Sequence, residues 1–415
     1  MKHSIDNDNP RTPEMAQAIQ NCVHCGFCLP VCPTYTLLGE EMDSPRGRIY
    51  LMKNVLEETL NAQDAQPYID RCLGCMACVT ACPSGVAYGD LLVGYRSMVE
   101  AARQRPVLDA ITRKLVTETL PYPNRFRLAA ITGKLGKMVK TLLPDSLATM
   151  LTLLPDSLPK TQPLPEVVPA VGEKRGKVAL LTGCAQQVLA PNISYAAAHV
   201  LALNGIEVVI PKNQGCCGSI LLHVGEDDQA QALAKHNFDA FPDDVDAIII
   251  TAAGCGSGIN DYELVFKGQA DATRARHFAE KSIDFSAYLA KIGLVNPPQA
   301  SKPLRVVYQD ACHLLHAQGI ASEPRQLLAQ IEGITLIHIE EAEMCCGSAG
   351  TYNIEQPDIA AQLGERKVAH ILAAEPDIVV SGNIGCITQI QTHLKQAQPT
   401  IKIMHLAELL FEMYQ

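Results

Sequence analysis

Three things are scarce in this 415-residue chain, and each scarcity removes a class of function. Basic charge comes first. Thirty-four Lys and Arg against 44 Asp and Glu leave a net charge of −10, which argues against general nucleic-acid binding. Apolar runs come second. No stretch approaches the ~20 residues of a membrane span, and the opening MKHSIDNDNP has acids and no apolar run, unlike a signal peptide. Third, sixteen cysteines in a chain of this length are far too sparse for a secreted disulfide scaffold. Free thiolates without an export signal point to a reducing, cytoplasmic setting. The hydrophobic content of 47% is ample for sizeable cores, and the length suits two or three domains.

The cysteines themselves are strongly patterned. Cys22, Cys25, Cys28 and Cys32 followed by Pro33, then Cys72, Cys75, Cys78 and Cys82 followed by Pro83, both spell C-x2-C-x2-C-x3-C-P. That is the run of bacterial iron–sulfur proteins, in which the fourth cysteine ligates the other cluster. The spacing predicts two [4Fe–4S] clusters with exchanged ligands. Cys22, Cys25, Cys28 and Cys82 hold the first; Cys72, Cys75, Cys78 and Cys32 hold the second. Zinc or a disulfide knot fits three such gaps, repeated and closed by proline, poorly. His24 inside the first loop reads as a solvent-facing neighbour rather than a ligand.

Helical signals surround these loops. Thr12-Pro13 reads as a capped helix start, and Ser44-Pro45 opens another with Ile49, Met52, Val55, Leu56 and Leu60 at helical spacing. Arg46 and Arg48 sit in its first turn, where the macrodipole would prefer acids; facing a cluster or a partner is one reading, and solvation the simplest expectation. A third helix carries Leu92, Tyr95, Val99 and Ala102 on one face. Residues 1–100 are therefore expected to form an all-α, ferredoxin-like dicluster domain. Residues 101–174 form a helical basic segment and proline-rich linker, extended over 155–172. The 101–177 stretch carries 13 Lys and Arg against 6 Asp and Glu, while 178–415 carries 14 against 26. This basic belt, with TLLPDSL repeated at 141–147 and 152–158, is a solvated helix face or a peripheral contact with anionic lipid on the inner face of the cytoplasmic membrane.

From Lys177 the pattern changes to apolar strands alternating with alanine-rich helices, the mark of parallel sheets covered on both faces. Strands are expected at 178–182, 206–210 and 247–251, and again at 304–308, 334–339 and 377–380. The cysteines repeat with them: Cys184, Cys216, Cys217 and Cys255, then Cys312, Cys345, Cys346 and Cys386, offset by 128, 129, 129 and 131 residues. Two tandem α/β domains, 175–295 and 300–415, account for that regularity. The overall fold class is thus α+β multidomain. Each thiol quartet lies near carboxyl ends of strands, where open α/β folds place ligands. The Cys312 quartet is a candidate third centre and the Cys184 quartet a candidate fourth, filled by an iron–sulfur cluster or zinc. A vicinal disulfide is the minority reading.

The two cysteine runs, Ser44-Pro-Arg-Gly-Arg-Ile-Tyr50, the Gly183-Cys184-Ala-Gln start and Cys345-Cys-Gly-Ser-Ala-Gly-Thr-Tyr352 together resemble the iron–sulfur subunits of bacterial glycolate oxidase (glycolate dehydrogenase) complexes. The Cys-Cys-Gly repeats alone are also similar to those of heterodisulfide-reductase-related subunits, the anaerobic glycerol-3-phosphate dehydrogenase small subunit and lactate-utilisation proteins. In heterodisulfide reductases the last cysteine belongs to a Cys-x2-Cys pair; here Gly258 and Gln389 take the partner positions, which leaves four thiols for a simpler centre. The resemblance implies a flavoprotein subunit that oxidises glycolate to glyoxylate and a quinone or other acceptor, with this chain carrying electrons between them and oxidising nothing alone. A dehydrogenase subunit for glycerol-3-phosphate or lactate, a thiol/disulfide enzyme, or a membrane anchor are the alternatives. Gly254-Cys-Gly-Ser-Gly258 is no dinucleotide fingerprint, so a flavin or nicotinamide site is not expected here.

Overall fold

The computed structural model describes residues 1–5, 8–137, 144–155 and 157–415. Lys140 of the basic belt and the first three residues of the earlier TLLPDSL copy lie outside them. Up to Leu153 the described chain is helical: α1 (Thr12–Asn21), α2 (Pro33–Leu38), α3 (Pro45–Leu56), α4 (Ala62–Asp70), α5 (Ala77–Thr80), α6 (Tyr88–Glu100), α7 (Val107–Thr119), α8 (Pro123–Gly136) and α9 (Asp145–Leu153). Ser44 caps α3 as its sequence suggests, its hydroxyl accepting from Gly47 N–H at 3.0 Å, with Pro45 supplying a pre-set first turn. Thr12 does not cap α1: it is the first helical residue, and Arg11 precedes it as the cap. Met15 and Ile19 of α1, Ile49, Met52 and Leu56 of α3, and Leu91, Leu92 and Tyr95 of α6 close one core around Cys22 and Cys72. Leu60 and Ala102 fall beyond the ends of α3 and α6, so helical spacing overran both.

Two sheets follow. The first has the order β1-β3-β2-β4-β5, from β1 (Val167–Val168), β2 (Gly176–Leu181), β3 (Ile206–Val209), β4 (Ala247–Ile250) and β5 (Ser282–Asp284). The second runs β7-β6-β8-β9, from β6 (Gln299–Gln309), β7 (Glu332–Ile337), β8 (Ile378–Ser381) and β9 (Lys402–His405). All pairings are parallel except β1 with β3. The six expected strands are present. The extended 155–172 segment departs from expectation at Val167 and Val168, which pair antiparallel with Val209 and Val208 and cover the edge of the first sheet.

The two sheets are not packed independently. Val178, Leu180, Val208 and Ile249 of the first share one core with Leu304, Val306 and Val380 of the second, joined by the helices Asn192–Leu203 and Leu406–Met413. That arrangement turns the carboxyl ends of both sheets toward common ground. No helix among the described residues is long and apolar enough to cross a membrane.

Candidate metal centres

Each cysteine run bends its backbone in the same way. In the first loop His24 (φ 58°) and Gly26 (φ 89°) flank Cys25; in the second, Gly74 (φ 62°) and Met76 (φ 62°) flank Cys75. Two left-handed residues around the middle cysteine curl three thiols toward one side. His24 and Met76 hold a conformation that costs a non-glycine residue about 1–2 kcal/mol, and such strain clusters at functional sites. The His24 ring is exposed, in keeping with a residue that faces solvent.

Around these loops lie two cavities. One of about 410 Å³ is lined by Cys22, Cys25, Cys28, Cys78 and Cys82. The other, about 320 Å³, is lined by Cys32, Cys72, Cys75 and Cys78. Cys82 lies with the first run and Cys32 with the second, and Cys78 lines both cavities. The first cavity is the outer one, with Cys25 exposed; Cys32, Cys72 and Cys75 of the second are buried.

Arg48 sets the electrostatics of the inner site. It is not solvated: only 1% of its surface is exposed. It donates to Tyr68 O (2.7 Å), Thr34 Oγ1 (3.0 Å) and Asp43 Oδ1 (3.1 Å), and its Nη1 lies 3.8 Å from Cys32 Sγ. Burial opposes ionisation of Cys72, yet the Arg48 and Arg96 charges carry its thiol below the ordinary range. Cys75 and Cys78 have no such help, and burial pushes both well up. Arg46 stays at the surface, paired with Glu41 and donating to His24 O at 3.2 Å.

The eight remaining cysteines do not form two separate pockets. All of them line one cavity of about 1250 Å³, with Gly74, Met76, Arg96, His223, His313 and Asn383 on its walls. Cys184 follows Gly183 (φ 70°) beyond β2; Cys216 and Cys217 precede Gly218 (φ 80°) after β3; Cys255 stands early in the helix Ala253–Asn260 after β4. Cys312 follows β6, Cys345 and Cys346 precede Gly347 (φ 88°), and Cys386 stands early in the helix Ile384–Ala397 after β8. The sulfurs of Cys184 and Cys216 are 3.2 Å apart, and those of Cys312 and Cys345 3.8 Å. Within each quartet the second cysteine of the pair is the acceptor. Hydrogen bonds from Cys216 and Cys255 hold Cys217 well below the usual thiol value, and those from Cys345 and Cys386 do the same for Cys346.

Donors suited to thiolate or cluster sulfur are in place. Gly74 N–H points at Cys72 Sγ (3.5 Å), Gly218 N–H at Cys216 Sγ (3.4 Å) and Asn383 Nδ2 at Cys386 Sγ (3.4 Å). Among the described residues no three His, Cys, Asp or Glu side chains are gathered tightly enough for a single ion; the thiols stand around spaces instead. Sets of thiols around a space, with N–H donors aimed at their sulfurs, are the donor set an iron–sulfur group takes, and in that respect the residues present fit one. A ligand at position 258 is sterically barred, because a Cβ on Gly258 would lie 2.1 Å from Ser219 Oγ. Gln389 is buried and spent on packing, donating to Ala360 O (3.0 Å) and accepting from Asn353 (3.3 Å).

Comparison with known proteins agrees with this geometry. A 4Fe-4S dicluster domain model matches residues 18–86, and a Cysteine-rich domain model matches 178–260 and 306–391. The glycolate oxidase iron-sulfur subunit of Escherichia coli (strain K12) is 36% identical, with 97% of this chain and 95% of that one aligned. The chain belongs to the glycolate oxidase iron–sulfur subunit family. Another relative, the probable glycolate oxidase iron-sulfur subunit of Bacillus subtilis (strain 168), is also 36% identical, over 94% of this chain and 93% of its own. In fold, a hypothetical protein from Helicobacter pylori is similar over 98% of this chain and 73% of its own, with a TM-score of 0.52 at 10% identity.

For a member of the glycolate oxidase iron–sulfur subunit family, the residues that sequence reasoning passed over are those between the cysteine sets. Arg96 on α6 donates to Cys72 O (2.7 Å) and to His223 O (3.0 Å). The His223 ring stacks on His313, centroids 6.1 Å apart, and its buried Nε2 faces Gly74, where a Cβ would lie 3.3 Å from it. His313 directly follows Cys312, a placement visible in the sequence; Arg96 and His223 carry no such signal.

Proposed function

We propose that this chain is the electron-carrying, non-flavin subunit of a glycolate-oxidising complex, taking electrons from a flavoprotein partner and delivering them to a quinone or another acceptor. Cys22, Cys25, Cys28 and Cys82 hold one [4Fe–4S] cluster, Cys72, Cys75, Cys78 and Cys32 the other, and the two quartets hold further metal centres. The single observation that supports it best is the pair of like-bent cysteine loops, each wrapped around its own cavity and set beside the eight-thiol space. When bound, such clusters accept electrons singly, which lets several in series drain the pair that a flavin receives as hydride. The protein's own part is positional. The left-handed turns aim the thiols, Arg48 and Arg96 offset the negative charge of the inner set, and the core around Met15, Met52 and Tyr95 keeps water from it. An all-α ferredoxin-like module over 1–100, a basic segment over 101–174 and α/β units over 175–295 and 300–415 are the working division. The cytoplasmic chain meets the membrane only peripherally, through α7, whose Val107, Leu108, Ile111 and Leu115 are exposed.

Purification with and without the flavoprotein partner, followed by glycolate-dependent dye reduction, tests this reading. Activity is expected only for the complex, with iron and sulfide bound to this chain. Full activity of this chain alone, or an inactive complex with both partners loaded, would overturn it.

A further inference from the structure

Both thiol quartets open on the same space, yet they meet the N-terminal cysteines differently. The inner loop is hydrogen-bonded to the second repeat at three points. Tyr352 donates its hydroxyl to Arg71 O (3.0 Å), His313 Nε2–H donates to Gly74 O (2.9 Å), and Thr80 donates its hydroxyl to His316 Nδ1 (3.0 Å). Leu73, Cys75 and Ala77 of that loop share a buried cluster with Cys345 and Tyr352, and Cys312 packs on it. Cys184, Cys216 and Cys217 belong to a different cluster, where Val93 of α6 is the N-terminal contributor. Their repeat meets the inner loop through Arg96, which spans His223 O and Cys72 O, and through the His223 ring, which lies beside Gly74; no thiol of that quartet joins the inner loop's cluster as Cys312 and Cys345 do.

The quartets also touch one another. Ala253 N–H donates to Gly382 O (3.1 Å), and Gly254 N–H, beside Cys255, donates to Asn383 Oδ1 (3.4 Å). The other end of the same amide, Asn383 Nδ2, points at Cys386 Sγ (3.4 Å). One side chain therefore contacts both halves of the eight-thiol wall.

We propose that the eight thiols form a single two-part redox site with a fixed order of use: with electron-carrying groups bound, the Cys312 quartet, packed on the inner N-terminal loop, would be the entry, and the Cys184 quartet would be reached across the shared cavity. His313 is the positioning residue at the entry, since one residue carries both the bond to Gly74 and the neighbouring ligand Cys312. Asn383 plays the corresponding part between the halves. The groups these thiols would hold supply single-electron transfer, which needs no bond made or broken and no proton moved. The inference rests on the iron–sulfur reading above and adds to it a direction and two named junctions.

The test uses the full-length chain, loaded anaerobically with iron and sulfide, reduced with dithionite and followed by iron analysis and freeze-quench EPR. In the unaltered chain, the centre at the Cys312 quartet is expected to broaden the inner N-terminal signal beyond what the outer N-terminal centre causes, and that excess is the broadening followed in the variants. Cys345→Ser is expected to remove that broadening and to leave the Cys184-quartet centre oxidised at times when it is normally reduced. Cys216→Ser is expected to keep the broadening. His313→Phe loses it, and His313→Gln, whose amide can still donate to Gly74 O, restores it. A residue that merely docks the two parts would not produce that spectroscopic split at equal iron content and equal circular dichroism. Broadening that survives Cys345→Ser and disappears in Cys216→Ser overturns the order. His313→Phe spectra identical to those of the unaltered chain overturn the junction. Iron no higher than about eight per chain, the content of two [4Fe–4S] clusters, overturns the two-part site while leaving the N-terminal assignment intact. Failure of the electron-transfer reading is distinct: the N-terminal loops would then bind no iron at all.

Discussion

Replacing Arg48 by Met should loosen the inner cysteine site more than any single cysteine-free change nearby. The guanidinium is 1% exposed and Asp43 is equally buried, so the pair sits where truncating one partner leaves an uncompensated charge. Breaking such a pair typically costs about 3–5 kcal/mol. Here the lower end applies, because Arg71 Nε remains 2.8 Å from Asp43 Oδ1 and keeps part of its charge satisfied. Tyr68 O and Thr34 Oγ1 also lose a donor, and that loss is counted within the same figure. A net destabilisation of about 3 kcal/mol is roughly a hundredfold change in the local opening equilibrium. Hydrogen exchange of the α3 amides reads that change directly and does not require the whole chain to unfold in one step. Arg48→Lys should fall between the two, since the charge returns without the planar fork. The decisive variant is the double change Arg48→Met with Asp43→Asn. Removing the stranded carboxylate should recover a large part of the loss, a coupling within the usual 0.5–3 kcal/mol. Unchanged α3 exchange in Arg48→Met, or a double variant no better protected than the single one, would refute the reasoning.

Three further outcomes are expected. His405 caps the helix Leu406–Met413, its Nδ1 accepting from Ala407 N–H at 3.0 Å, and burial lowers its pKa from 6.5 to about 4. Its neutral form therefore contributes stability that is complete above pH 6.5 and lost as pH falls toward 4, about 3 kcal/mol in all; thermal melts between those limits should flatten in His405→Asn, and an equal slope in both proteins would contradict this. Gly218→Ala and Gly347→Ala each place a Cβ in left-handed backbone and within 2.9 and 2.6 Å of the Ala230 and Ala360 carbonyl oxygens. Each should cost at least the 1–3 kcal/mol of the strained backbone and lower C-terminal metal content, read by melts and iron analysis. Charge-neutral replacement of Val107, Ile111 and Leu115 by Ser should leave the melt unchanged and reduce sedimentation with anionic liposomes; undiminished sedimentation would remove α7 as the contact.

What the sequence made legible follows from where its constraints are local. The two cysteine runs bend alike because their short spacing is the same, and the apolar runs at 178–182, 206–210 and 247–251 could be little else than strands of a covered parallel sheet. The edge strands were illegible for the opposite reason. Ser282–Asp284 and Lys402–His405 are three and four residues long and mixed in polarity, so only the neighbouring strand makes them strands. Arg48 is the clearest failure of local reasoning. An arginine in a first helical turn is expected at the surface, and nothing nearby announces the buried Asp43 that accepts it or the cysteines of a loop 24 residues further on.

The deeper gap concerns the quartets. Repetition at a spacing of about 130 residues reads naturally as two independent copies of one site, since each copy carries a complete set of thiols. Whether two such sets face apart or toward each other is decided by how the sheets pack, and that information is spread over apolar residues with no pattern of their own. Helices Asn192–Leu203 and Leu406–Met413 share one core, which brings the sheets together with their carboxyl ends on common ground. Asn383 then fills a place that the repeat itself would not demand. Its counterpart in the first copy is Ala252, which has no amide to offer. The asymmetry between Ala252 and Asn383 is what a duplicated pair acquires once its halves face one another, and it is why the two quartets are better understood as unequal parts of one site than as copies.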